Sequence, residues 1–379
     1  MNRLLLAFAF ACCAAVGFAE EPSKPWTFDA ALLKPFWISP IMEGESVVFI
    51  KDGASAKPRA SLLFPPTKIL SIRNSAGNVT YAEGKDYVWK PNTQEIVLPP
   101  GSKITFKTRH YLWWPPKPLH TFPRRDGKGE ILHDEGHIYH DMQTIVTYEH
   151  AADAWKGPKL SFDASRLPRT LEMLQKKKPL TIALLGDSIS TGCNASSWLK
   201  VAPFQPAWQD LLVKNLETVY GSKIVLKNFA VGGTVSEWGL QNIEKVVDVK
   251  PDLVILAFGM NDSGSVPAAK YQANIRGMID AVRKAQPQAE FILIATMRGN
   301  GDWMLVENFP PYRDALAELC KPGIALADMT SIWTELLKHK KYVDITGNGV
   351  NHPNDFSHRI YAQVLSCLLI PGDLKVTSK

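Results

Sequence analysis

The sequence predicts two regions of different fold class: an all-β, jelly-roll-like sandwich over residues 20–165, then a doubly wound α/β region with a five-stranded parallel sheet over residues 166–379. Three observations predict this division. Short runs rich in β-branched and aromatic residues, separated by Gly, Pro and Asn, fill the first part and stop near residue 165. Beyond that point five apolar runs alternate with segments of helical length and period. The chain has 379 residues, 45% of them hydrophobic, which is enough for about two domains with cores of their own.

The first element is a targeting segment. One Arg, an apolar run too short to span a bilayer and the small-residue boundary Gly17-Phe18-Ala19 read as a secretory signal over residues 1–19. A lipoprotein-type signal ending before Cys12 would leave a very short apolar stretch, so cleavage after Ala19 and an exported protein are expected. No later segment reads as a transmembrane helix. The net charge of +6 comes from scattered Lys and Arg, not from a block, so nucleic acid is not an expected partner. Two of the five cysteines fall in the signal, and Cys193, Cys320 and Cys367 have no metal-knuckle spacing; free or structural thiols are expected.

In the β region, "SVVFI", "SLLF", "KILSIRN", "NVTYA", "DYVWK", "EIVLP", "KITFKT" and "IVTYEH" are the expected strands. Within it, "HDEGHIYHD" gathers His133, His137 and His140 beside Asp134, Glu135 and Asp141. Asp134-Glu135-Gly136 reads as a three-residue hairpin loop that sets His133 opposite His137. Surface histidines are the plainer reading of this cluster and a metal site the sharper one. "KKK" at 176–178 ends a helix and complements its dipole.

In the α/β region the strands are "TIALL", "KIVLKN", "DLVILAF", "EFILIA" and "GIALA". Between the third and fourth, Tyr271, Ile275, Met278, Ile279 and Val282 recur at helical spacing over residues 269–285. A last helix over residues 354–369 turns Phe356, Ile360, Val364, Leu365 and Leu368 inward.

In an open parallel sheet, ligands bind beyond the carboxyl ends of the strands. Gly186-Asp187-Ser188-Ile189 follows the first strand, "NFAVGGT" with Gly232 and Gly233 the second, and "GMND" with Asn261 the third. "NGVNHPNDFSH" precedes the last helix and brings His352, Asp355 and His358 toward the same rim. These residue types suit acyl transfer. A serine needs an imidazole within hydrogen-bond reach to take its proton, and fixed donors must meet the charge that builds on the carbonyl oxygen. Ser188 is the expected nucleophile and His352 the base; the Ser188 and Gly233 amides with the Asn261 side chain form the oxyanion hole. Asp187 is expected to support the nucleophile loop and Asp262 to cap the helix after it.

These residues resemble the SGNH, or GDSL, hydrolase family, whose signature is a Ser in Gly-Asp-Ser, a Gly, an Asn and a His. The resemblance covers residues 178–369 and implies a flavodoxin-like sheet and esterase or lipase activity, with Ser188, Gly233, Asn261 and the "HPND" histidine in the signature roles and no cofactor. One position departs from the pattern. The family carries Asp three residues before the catalytic His, where this chain has Gly349. Read literally, Asp-x-x-His fits Asp355 and His358. The His-Pro-Asn register favours His352 instead, because His358 falls inside the last helix, where packing fixes its direction. Asp355, Asp344 or a backbone carbonyl is then left to orient the base.

Trp198, Trp238 and Trp303 lie in or near loops after strands one, two and four, and indole faces suit sugar rings. No long apolar lid is evident. The expected function is an exported serine esterase removing short acyl groups, acetyl foremost, from carbohydrate. A lipase or arylesterase acting on small or lipid esters is the competing enzyme, and a non-catalytic carbohydrate-binding protein the competing non-enzyme.

Overall fold

The structure is a computed structural model that describes residues 26–117 and 119–372, so the expected signal at residues 1–19 lies outside the described residues. The five apolar runs form strands Leu180–Gly186, Ile224–Asn228, Leu253–Ala257, Glu290–Ala295 and Ile324–Asp328. All pair in parallel, in the spatial order second, first, third, fourth, fifth. The order reverses beside the first strand, so loops diverge there and open a crevice.

Alternation along the strands divides the core. Ile182, Leu184, Ile255, Ile292 and Ile294 face one way, onto helices Trp208–Tyr220, Met329–His339 and Asp355–Leu369. Ala183, Leu185, Val254, Leu256 and Leu293 face the other, onto Ala268–Ala285 and Phe309–Ala317. Helix Ala268–Ala285 buries Tyr271, Ile275, Met278, Ile279 and Val282, the residues its periodicity singles out. Helix Asp355–Leu369 differs from a one-faced surface helix, because every residue from Phe356 to Leu369 is buried. The sheet covers one side of it, and the N-terminal region covers the other with Phe36, Trp37, Met42 and Val47 in the same continuous cluster.

The N-terminal region is mostly strands, in several sheets. Ile41–Val47 and Pro66–Asn74 flank Thr144–His150 in a three-stranded antiparallel sheet, and five short strands form a second sheet. Strand Thr121–Pro123 pairs with Glu130–Leu132. The hairpin expected at Asp134–Gly136 is not formed. Asp134 Oδ2 accepts the Ile138 N–H at 2.9 Å, and the chain turns into the short helix Ile138–Met142 instead of a returning strand.

Polar contacts bolt this region onto the sheet region. Lys340 Nζ is 2.5 Å from Glu45 Oε1, with both side chains fully buried. Asp344 Oδ1 accepts the Val48 N–H at 2.8 Å, and Arg359 Nη1 and Nη2 reach Gln205 and Gly44 O. Arg124 holds Asp302 with both terminal nitrogens, at 2.5 and 3.0 Å, while its guanidinium lies 4.0 Å from the centre of the Trp113 ring. The Arg124–Asp302 pair fixes the Thr121–Leu132 segment beside the loop after the fourth strand. The residues that follow it, 133–135, are thereby carried to the carboxyl end of the sheet. Among the described residues no helix is long and apolar enough to cross a membrane.

Candidate active site

The first strand ends at Gly186, and Asp187 stops it by capping a four-residue helix: its Oδ1 accepts the Ile189 N–H at 3.0 Å. Burial pushes the Asp187 carboxyl up to about 7, aided by the charge of Asp262. Ser188 is the first residue of that helix, where a backbone N–H has no acceptor within its own helix. Its hydroxyl Oγ lies 2.8 Å from His352 Nε2. Ser188 and His352 are 7% and 6% exposed, so both are largely shielded from solvent.

The loop after the second strand lies over the nucleophile. A Cβ at Gly232 would sit 3.7 Å from Ser188 Cβ, while one at Gly233 would meet nothing within 4 Å. Gly233 has φ +77°, a left-handed conformation that favours glycine, and its backbone faces open space. After the third strand, Asn261 Nδ2 donates to Thr234 O at 2.9 Å, which ties the two loops together and leaves the amide a second N–H. Asp262 does not cap the helix that follows it. Its carboxylate accepts from the Ser236 N–H, the Ser236 hydroxyl and the Gly259 N–H, so it binds the second loop to the third. Burial pushes its carboxyl up against those bonds.

Two acceptors face the other nitrogen of His352. Nδ1 is 2.7 Å from Asn194 Oδ1 and 3.1 Å from Glu135 Oε2. Both acceptors require a proton on Nδ1, which leaves Nε2 free to accept from Ser188. Glu135 comes from the N-terminal region. Its other oxygen, Oε1, is 3.0 Å from His133 Nε2 and 3.0 Å from Asn348 Nδ2. Burial pushes the Glu135 carboxyl up, but the hydrogen bonds from His133, His352 and Asn348 outweigh it and hold the group well below the usual carboxylate range.

The remaining sequence candidates lie elsewhere. Asp355 is not brought to His352: its Oδ1 accepts the Ser196 N–H at 2.8 Å, and burial pushes its carboxyl up. Asp344 serves Val48 N–H and Lys341 N–H. His358 is wholly buried, with Nδ1 accepting the Trp208 N–H at 3.3 Å and Nε2 on Cys193 O at 3.1 Å. Burial lowers its pKa to about 4, so it is a neutral structural imidazole with both nitrogens occupied. The structure does not gather His133, His137 and His140. His137 pairs with Asp141 and His140 with Ala202 O. Among the described residues no group of three or more His, Cys, Asp or Glu is placed to hold a metal ion. Cys193, Cys320 and Cys367 are free thiols.

Sequence reasoning missed Asn194 and Glu135. Asn194 gave a weak signal, as a polar residue just past the nucleophile helix. Glu135 gave none locally, and the pointer to it was Gly349, the position where the family pattern has a carboxylate and this chain does not.

Residues 184–360 match the GDSL-like lipase/acylhydrolase family. No curated protein matches the sequence. Among solved structures, a two-domain esterase active on acetylated mannans is 19% identical with a TM-score of 0.46; the match covers 59% of this chain and 57% of that one. An acetylxylan esterase from Geobacillus stearothermophilus is 19% identical with a TM-score of 0.40, over 49% of this chain and 92% of that one. A lipase from a goat rumen metagenome is 17% identical with a TM-score of 0.41, over 52% of this chain and all of that one.

Proposed function

We propose that this chain, which carries a GDSL-like lipase/acylhydrolase domain over residues 184–360, is an exported serine esterase that removes short acyl groups, acetyl foremost, from carbohydrate. The observation that carries the reading is the 2.8 Å contact between Ser188 Oγ and His352 Nε2 beneath the Gly232-Gly233 loop. His352 Nε2 takes the hydroxyl proton as Ser188 Oγ attacks the ester carbonyl carbon. The resulting oxyanion is met by the Ser188 and Gly233 N–H groups and the second N–H of Asn261, each such donor contributing about 3 kcal/mol to the transition state. His352 then returns its proton to the departing alkoxide oxygen, which leaves an acyl-enzyme. Water attacks this ester with His352 again as base, releasing the acid and restoring Ser188. The steps need no cofactor.

Aromatic surface near the base supports a sugar substrate. Phe122 stacks on Trp303 with ring centres 4.6 Å apart, and Phe122 is 4.8 Å from His133, whose Nε2 touches Glu135. Trp198 is 43% exposed, four residues past Asn194. Flat apolar faces with a polar edge suit pyranose rings. Trp238 supports the reading less, since it packs against the core beneath Lys245. Export rests on the residue pattern of 1–19, and the division into domains at 20–165 and 166–379 on the change of pattern near 165.

A series of nitrophenyl esters tests the acyl preference. The value of kcat/KM is expected to peak at acetyl and to fall by at least about tenfold by octanoyl, because a pocket fitted to a methyl group must strain to admit a longer chain. Release of acetate from an acetylated oligosaccharide is expected alongside. A rise with chain length, without release from the sugar, would make the enzyme a lipase or arylesterase.

A further inference from the structure

We propose that Glu135, reaching the site from the N-terminal region, is the charge partner of His352, and that His133 and His120 behind it form its positioning clamp. The inference rests on the serine–histidine reading above and names the residues that complete it. Its starting point is Gly349, three residues before His352. Gly349 has φ +88°, and a Cβ there would collide with Leu132 O and the Tyr139 hydroxyl. The Leu132–Tyr139 segment therefore excludes any side chain from the position where the family carries its carboxylate. The same segment delivers one from the other side: Asp134 N–H donates to Asn348 O at 3.2 Å, and Glu135 follows directly with Oε2 at 3.1 Å from His352 Nδ1.

Asn348 builds both halves of this arrangement. Its Oδ1 accepts the N–H groups of Val350, Asn351 and His352, each at 3.0 Å, which shapes the loop holding the base. Its Nδ2 grips Glu135 Oε1. His133 Nε2 donates to the same Oε1, so its Nδ1 faces outward, 2.7 Å from His120 Nδ1. Of two ring nitrogens that close, one must donate and the other accept. The chain of contacts thus runs Ser188, His352, Glu135, His133, His120, from the buried nucleophile to the exposed end of the paired strands Thr121–Pro123 and Glu130–Leu132.

Asn194 and Glu135 do different work on the same Nδ1. The Asn194 oxygen is the nearer and suffices to fix the tautomer in the resting state. When His352 takes the serine proton it becomes a cation, and a carboxylate answers that charge about twice as strongly as a neutral amide oxygen does. The Glu135 side chain is 46% exposed, so water screens part of the attraction, and the benefit is moderate.

The variants are compared in the full chain on nitrophenyl acetate. Glu135→Ala leaves Asn194 to hold the tautomer, and kcat is expected to fall about 10- to 100-fold with KM little changed. Glu135→Gln is expected to be worse, about 10³-fold or more. The two donors at Oε1 fix the amide carbonyl there and turn the NH2 toward Nδ1, against the required proton. A purely structural role predicts the reverse, since Gln keeps the shape that Ala loses. Asn194→Asp added to Glu135→Ala restores a carboxylate at Nδ1 and is expected to recover most of the rate. His133→Ala is expected to cost about tenfold in the parent and nothing further in Glu135→Ala, because it acts only through that carboxylate. A Glu135→Gln rate equal to or above that of Glu135→Ala, no rescue by Asn194→Asp, or a His133 effect that persists without Glu135 overturns the proposal. Any of these leaves the esterase reading standing as long as Ser188→Ala is inactive; activity that survives Ser188→Ala removes the reading itself.

Discussion

Ser188→Ala and His352→Ala are each expected to lower kcat by about 10⁶-fold, and the double variant to be no worse than either, because nucleophile and base act as one unit. The hydroxyl and Nε2 share a single proton at 2.8 Å, and neither has another partner able to take over. What remains comes from the oxyanion donors and substrate positioning. His358→Ala separates this account from the literal Asp-x-x-His pattern. That ring fills a sealed site between Trp208 N–H and Cys193 O, so its loss is expected to lower stability by about 2–3 kcal/mol through the unsatisfied groups left behind. Turnover per folded molecule should stay within a few-fold of the parent. Initial rates on nitrophenyl acetate, with folded protein measured by circular dichroism, check all three. Loss of turnover in His358→Ala with retention in His352→Ala would move the base into the C-terminal helix.

The second large effect is on stability and concerns the joint between the two regions. Lys340 and Glu45 are both fully buried, and Glu45 also accepts from the Leu63 N–H at 2.8 Å and the Tyr148 hydroxyl at 2.6 Å. Lys340→Met leaves that carboxylate in the core with its cation removed, and the unfolding free energy is expected to fall by about 3–5 kcal/mol. Pairing it with Glu45→Met should return most of the loss, since removing both charges also removes their desolvation cost. Urea denaturation followed by tryptophan fluorescence measures both. A loss below about 1 kcal/mol in Lys340→Met would mean that water reaches the pair.

How far the sequence discloses the fold follows from where each element is buried. The strands Leu180–Gly186, Leu253–Ala257 and Glu290–Ala295 are covered on both faces and read as continuous apolar runs, while the edge strand Ile224–Asn228 ends in exposed Lys227 and Asn228; all five stand where the runs lie. Helix Asp355–Leu369 was legible on the face that meets the sheet. Its polar residues are buried as well: Arg359 and Gln363 because the N-terminal region meets them with the backbone carbonyls Gly44 O and Leu32 O, and His358 because Trp208 N–H and Cys193 O enclose it. A polar residue buried against a backbone carbonyl has the same letter as one in water. The short N-terminal strands were the least legible, since two- and three-residue pairings such as Val88–Trp89 carry almost no period.

The site divides in the same manner. Ser188, Gly233 and Asn261 each follow a strand of the sheet and His352 precedes the last helix, so their approach to one rim could be read from topology. Glu135 meets His352 across 217 positions of sequence and Asn194 meets it across 158, contacts that no local spacing encodes. The cluster "HDEGH" suggested a hairpin because Asp-Glu-Gly has turn chemistry. Asp134 used that chemistry to start a helix instead, and Glu135 was swung toward the catalytic loop.

The most direct test of the central claim, that Ser188 is the nucleophile activated by His352, is covalent trapping with a fluorophosphonate followed by peptide mass mapping. The account predicts one phosphonyl group per chain, on the peptide containing Ser188, with labelling slowed by several orders of magnitude in His352→Ala. Labelling at a different residue, or ester hydrolysis that continues while Ser188 stays unmodified, would contradict it.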